Sequence, residues 1–123
     1  MNIYKSGEDY LETILILSQR NGNVRSVDIA NELNFKKSSV SVAMKNLRLN
    51  DYIKVDENGY ITLTESGLSI ARKIYERHTI LTDFLISIGV DKDVAAEDAC
   101  KIEHDLSSET FAALKEFISN HPA

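Results

Sequence analysis

Cys100, Glu103 and His104 fall at i, i+3 and i+4, a spacing that lines three side chains along one side of a helix. Asp9 and Glu12 repeat the i, i+3 pattern near the start of the chain, and His78 stands between the two groups in sequence. Thiolate, imidazole and carboxylate are donors that divalent first-row metals accept. Two helices that each offer a ligand pair, with a lone histidine, could therefore surround one ion or two. The donors come from distant parts of the sequence, so their convergence would couple the first helix to the last ones. Each residue also has a plainer role by type alone. Asp9 could be the acid of a capping box opened by Ser6, Glu12 a solvated helix charge, and Cys100 a small core residue. His78 could be a surface residue and Glu103-His104 part of an exposed acidic face. His121, near the chain end, carries no assigned role.

A second chemistry lies between residues 36 and 54. That stretch holds Lys36, Lys37, Lys45, Arg48 and Lys54 against one acid, Asp51. The net charge of −5 speaks against nucleic acid as a partner until the chain is divided after Tyr75. Residues 1–75 carry 10 Lys/Arg against 9 Asp/Glu, net +1, and residues 76–123 carry 4 against 10, net −6. A local basic patch is what contact with phosphates requires. Ser38, Ser39 and Ser41 would sit near a helix N-terminus, where hydroxyls, backbone N–H groups and the helix dipole all suit a phosphate. Val42 offers only methyl surface, which fits a thymine methyl rather than a hydrogen-bonding base edge.

The elements that would position these residues are legible from period and punctuation. Apolar spacing predicts helix 1 over 7–20, with Tyr10, Leu11, Ile14, Leu15 and Leu17 on one face and Ser6 as N-cap. After Asn21-Gly22-Asn23, Ser26 is the expected cap of a helix over 26–35 with Val27, Ile29, Ala30 and Leu33 inward. A turn at 34–37 leads to a helix over 38–50. It should bury Val40, Met44 (or Ala43) and Leu47 and leave Ser39, Ser41, Val42 and Lys45 outside. From Tyr52 to Leu63 the period changes, and YIKV and YITL flank Asn58-Gly59, a hairpin signal. A long helix capped by Thr64 follows, with Leu68, Ile70, Ala71, Ile74, Tyr75, Leu81, Phe84, Leu85 and Ile88 apolar, and Gly89 ends it. Asp91 caps a helix to about Leu106 and Ser107 caps the last, through Phe111, Leu114, Phe117 and Ile118. Helix, turn, serine-rich helix and hairpin, in that order, is the winged helix-turn-helix plan, whose second helix enters the major groove.

At 123 residues, with 43% hydrophobic and 27% charged residues and one proline, a folded helix-rich domain or pair of small domains is expected. No apolar run reaches the length of a bilayer span, and the opening MNIYKSGEDY lacks the layout of a signal peptide. No membrane association and a cytoplasmic address are the expectation. A single cysteine excludes an internal disulfide.

The residues resemble the diphtheria-toxin-repressor family of iron- and manganese-dependent transcriptional regulators. The segments that carry the resemblance are EDYLETI, DIANELN with SSVSVAMKNL, NGYITLTESG, YERHTILTDFL and, most specifically, EDACKIEHDLS. The resemblance implies a mainly α fold with a small β-hairpin. Residues 1–75 would form a winged helix-turn-helix DNA-binding domain, and residues 76–123 a helical metal-binding and dimerisation domain. It implies a homodimer on a palindromic operator, activated by Mn(II) or Fe(II), with Co(II) or Zn(II) as other candidates, and usually repressing metal-uptake genes. The metal positions map onto Asp9, Glu12, His78, Cys100, Glu103 and His104. The DNA-contacting set is Lys36, Lys37, Ser38, Ser39, Ser41, Val42 and Lys45. Asp9 and Glu12 match the manganese subtype, whereas Cys100 matches the iron subtype, where the manganese type has Glu. Thr82 and Ala96 stand where the iron type has a carboxylate and a histidine. The short manganese type, without the SH3-like domain of the iron regulators, is the implied kind. Val42 replaces a base-contacting Gln of the iron type.

The apolar faces of 80–88 and 111–118 are the expected sources of the dimer interface. A winged-helix regulator that ignores metal is the alternative. A metal-dependent hydrolase on the same cluster would need an open coordination position and a substrate pocket, and no motif for the pocket accompanies the ligands. The expectation is therefore a regulator and not an enzyme.

Overall fold

Leu11, Ile14, Leu15 and Leu17 are all buried in α1 (Lys5–Asn21), because apolar residues recur at helical spacing along one face. The computed structural model describes residues 5–120, and the chain divides between Lys73 and Ile74 into two compact units. His121 lies outside the described residues. Ser6 sits inside the first turn of α1 rather than capping it, so the capping box proposed for Asp9 does not form around it.

In the first unit, α2 (Ser26–Leu33) and α3 (Lys37–Leu49) follow. Ser26 is not the cap of α2. Arg25 holds that position in extended conformation, and its N–H donates to the Asp28 carboxylate at 2.9 Å. The side chain three residues on thus satisfies the N–H of the N-cap residue, the reciprocal half of a capping box. Helix α2 ends at Leu33, two residues before the expected stop, because Asn34 adopts a left-handed conformation with φ 58°, which Asn tolerates better than most residues. Val27 is 39% exposed, so only Ile29 and Ala30 of α2 are fully inward, with Leu33 half-buried. Val40, Met44 and Leu47 carry the buried side of α3 as their spacing requires.

The hairpin pairs β1 (Ile53–Val55) with β2 (Ile61–Leu63) antiparallel, in the register Ile53 to Leu63, Lys54 to Thr62 and Val55 to Ile61. Its tip is longer than a two-residue Asn-Gly turn. The Asp56 carboxylate accepts from the N–H groups of Asn58 and Tyr60, both at 2.9 Å, and Gly59 takes φ 83°. Asp56 therefore organises the turn, and Gly59 supplies its left-handed residue. Ile53 and Ile61 join Val24, Ile29, Val40 and the α1 leucines in one core, so the hairpin is anchored to the three-helix body.

Helix α4 (Glu65–Ser87) starts in the first unit and ends in the second. Thr64 caps it: its hydroxyl accepts from Gly67 N–H at 3.2 Å and donates to the Asp51 carbonyl at 2.7 Å. The helix ends on Gly89, φ 105°. Gly89 N–H donates to Ile86 O and Val90 N–H to Leu85 O, both at 3.0 Å, the paired bonds of a Schellman motif. Tyr75 and Ile88, expected to be apolar packing positions, are 41% and 62% exposed.

In the second unit, Asp91 caps α5 (Lys92–Ile102), accepting from the N–H groups of Asp93 and Val94. Helix α5 stops at Ile102 instead of Leu106, and Glu103 is its C-cap. The carbonyls of Glu103 and Leu106, in the turn that follows, accept from the Arg77 guanidinium at 2.9 and 2.7 Å. Ser107 then caps α6 (Ser108–Asn120) by accepting from Thr110 N–H at 3.0 Å. Among the described residues no helix is long and apolar enough to cross a membrane.

Candidate metal centre and DNA-reading face

Ala95, Ala99 and Glu103 recur at intervals of four along α5, and all three are fully buried. The stripe carries a carboxylate to the place where an apolar residue would normally sit. A buried carboxylate is costly unless partnered. Glu103 Oε2 lies 2.9 Å from Nδ1 of His78, and Oε1 lies 3.4 Å from Nε2 of His104. The His104 side chain is 2% exposed and that of His78 33%. Two imidazoles therefore meet one carboxylate, one at each oxygen, and Oε1 makes no hydrogen bond in spite of its burial.

The donor chemistry fits a divalent first-row metal. A cation would satisfy Oε1, and imidazole and carboxylate are its ordinary ligands. Cys100 lies on α5, four residues before His104, and is exposed, which removes the alternative of a core cysteine. The exposed-acidic-face alternative for Glu103 and His104 fails on burial. Because α5 ends at Ile102, the three residues do not share one regular helix: Glu103 keeps helical φ and ψ as C-cap, and His104 opens the following turn.

In the first unit, Glu12 is 9% exposed and Asp9 half-buried on α1. A solvated surface charge is thereby excluded for Glu12. Thr13, the residue after Glu12, donates its hydroxyl to the Asp9 carbonyl at 2.8 Å, so that hydroxyl is occupied locally.

Arg77 was not among the residues singled out by sequence, although a signal existed. Ile74, Arg77 and Leu81 stand at i, i+3 and i+7, and all three are buried, Arg77 to 3% exposure. An arginine on the buried stripe of an amphipathic helix requires internal acceptors. They are the two carbonyls at the end of α5, and the guanidinium also lies 5.2 Å from the centroid of the Phe111 ring.

On the DNA side, Lys36, Lys37, Ser38, Ser39, Ser41, Val42 and Lys45 are all exposed, Val42 to 61%. Lys36 is the N-cap of α3 and Lys37 its first residue, with no side-chain cap bond. The first-turn N–H groups of α3 are thus left to an outside acceptor such as a phosphate. The wing tip carries Asp56 and Glu57, both exposed, whereas Lys54 on β1 is exposed and basic. Arg25 lies 4.5 Å over the Tyr60 ring beside the hairpin.

Two family models match. One, described as iron dependent repressor, N-terminal DNA binding domain, matches residues 2–61; the other, described as iron dependent repressor, metal binding and dimerisation domain, matches residues 64–122. An uncharacterized HTH-type transcriptional regulator of Methanocaldococcus jannaschii is 39% identical over 116 residues, 93% of each chain. The HTH-type transcriptional regulator MntR of Listeria welshimeri is 35% identical over 120 residues, 95% of this chain and 84% of that one. The structure of the manganese regulator SloR matches with a TM-score of 0.82 at 30% identity, over 99% of this chain and 56% of that one. The structure of IdeR of T. acidophilum matches with a TM-score of 0.77 at 27% identity, over 100% and 56%. The chain thus spans just over half the length of these two solved proteins. With both family models matched across nearly all of its length, the chain belongs to the iron-dependent repressor family of metal-responsive, DNA-binding transcriptional regulators.

Proposed function

We propose that the protein is a homodimeric repressor, acting in the cytoplasm, that binds a palindromic operator when Mn(II) or Fe(II) is held by Asp9, Glu12, His78, Cys100, Glu103 and His104. Residues 1–75 would read DNA, and residues 76–123 would carry most of the metal ligands and the dimer contact. The observation that carries the metal half is the fully buried Glu103 carboxylate with His78 on one oxygen and His104 beside the other. Support for Asp9 and Glu12 comes from their i, i+3 spacing and the resemblance of EDYLETI to the manganese subtype. The metal, when bound, supplies positive charge that holds anionic and imidazole ligands in one arrangement, selecting the conformer whose recognition helices match the operator. Thiolate at Cys100 admits Co(II) or Zn(II) as competitors, since softer ligands favour them over manganese.

Lys36, Lys37 and Lys45 would neutralise phosphates, Ser38, Ser39 and Ser41 would donate to them, and Val42 would meet the base edges. A dimer is supported by the exposed apolar residues Ile86, Ile88 and Phe117, within the stretches 80–88 and 111–118. The genes regulated would be those of metal uptake, as the resemblance implies. Fluorescence anisotropy on operator DNA, with Mn(II) and then with chelator, tests the proposal. Metal-dependent affinity is expected, and it should be lost in a folded Glu103→Ala/His104→Ala variant. Equal affinities with and without metal would overturn it.

A further inference from the structure

We propose that Arg77 is a positioning residue for the metal centre, a clamp that fixes the corner between α5 and α6 so that Glu103 and His104 are held ready for the ion. The inference rests on the metal-centre reading above. Arg77 adjoins His78 on α4, so one turn of helix supplies both an imidazole to the Glu103 carboxylate and a guanidinium to the Glu103 carbonyl. The same guanidinium nitrogen bonds the Leu106 carbonyl, at 2.7 Å, so both ends of the 103–106 turn are tied to α4. Phe111 on α6 covers the guanidinium, which brings the third helix into the same contact.

The chemistry is costly for a merely structural contact. A guanidinium at 3% exposure has given up its water, its Nε makes no hydrogen bond, and its acceptors are neutral carbonyls. Such a group leaves little freedom at the corner, because any shift of the turn strands a buried charge. Helix C-terminal carbonyls also carry partial negative charge that a cation complements. The Glu103 side chain departs from the backbone so held, and His104 is the next residue. Groups that orient metal ligands from behind change metal affinity by about tenfold to a hundredfold when removed.

The test uses Arg77→Met, Arg77→Lys and, as a control, Ala95→Gly, which loosens α5 two turns before Glu103 without touching the clamp. Amide hydrogen exchange of the metal-free protein reads the 103–107 turn, and calorimetry reads Mn(II) affinity. Arg77→Met is expected to speed exchange at Glu103 and Asp105 while the middle of α5 stays protected, and to weaken Mn(II) binding about tenfold or more. Arg77→Lys, which can satisfy one carbonyl at a time, should fall between it and the native protein. Should Arg77→Met fail to fold, Arg77→Lys carries the test. Ala95→Gly should leave Mn(II) affinity within twofold. Unchanged Mn(II) affinity in the Arg77 variants, or an equal loss in Ala95→Gly, would overturn the proposal. Failure of the native protein to bind Mn(II), Fe(II) or Co(II) would instead overturn the metal centre itself, and the exchange contrast would still decide whether Arg77 holds the corner.

Discussion

His78 and Glu103, 25 residues apart, meet at 2.9 Å between Nδ1 and Oε2, and the carboxylate in that pair is fully buried. Burial of a carboxylate with only imidazoles beside its oxygens is poorly compensated, so the group is better suited to binding a cation than to holding the protein together. Glu103→Gln should therefore separate the two roles. In chelator its thermal midpoint should equal or exceed that of the native protein, whereas with Mn(II) the native protein should gain stability that the variant lacks. Paired melts with and without metal check this, and a lower midpoint in chelator would assign Glu103 to the fold.

Cys100 sets the choice of metal in this scheme. It is exposed, four residues before His104, so Cys100→Glu would exchange the proposed ligand atom at a surface position. Replacing a soft donor by a hard one should raise Mn(II) affinity relative to Co(II) by about tenfold. Calorimetric titration with both metals checks it; an unchanged ratio would remove Cys100 from the ligand set.

The exposed lysines of α3 make a prediction in salt rather than in sequence. If Lys37 and Lys45 each neutralise one phosphate, each alanine variant should reduce the slope of log affinity against log salt by about 0.9 and weaken all DNA alike. Val42→Ala should leave that slope alone and cost roughly 1 kcal/mol, felt only at operator positions carrying a thymine methyl. Anisotropy titrations across a salt series, on the operator and on scrambled DNA, distinguish the two behaviours.

Elements whose signal is local were legible in the sequence. Thr64, Asp91 and Ser107 cap their helices because a short side chain and the N–H groups it serves lie within one turn. The α3 face followed from spacing alone. Features that depend on partners far along the chain were hidden. Helix α5 stops at Ile102, and the turn after it is held by Arg77, on another helix, through the carbonyls of Glu103 and Leu106; no pattern near residue 102 announces that. The start of α2 was misplaced by one residue: Arg25, not Ser26, stands at the cap, and the Asp28 carboxylate reaches back to its N–H. Of the candidate site, Cys100, Glu103 and His104 were visible as a spacing, but the burial that separates Glu103 from an ordinary surface acid was not.

Gly67 offers a case where two known effects oppose each other and their sizes decide the sign. It lies inside α4, where alanine would ordinarily stabilise a helix by about 1 kcal/mol. A Cβ at Gly67, however, would stand 2.0 Å from the Tyr52 carbonyl oxygen, a backbone atom that also accepts from Thr64 N–H at 3.1 Å. The oxygen cannot move without breaking that bond and dragging the start of β1, which buries Ile53 in the core. Overpacking of this kind costs up to about 3 kcal/mol, so Gly67→Ala should be destabilised by a net ~2 kcal/mol. Because the strain falls on the hairpin, affinity for operator and for scrambled DNA should drop together, while Mn(II) affinity of the folded fraction stays within twofold. Urea unfolding and calorimetry on the same preparation check both halves, and a variant as stable as the native protein would show that α4 can lift away from Tyr52 at little cost.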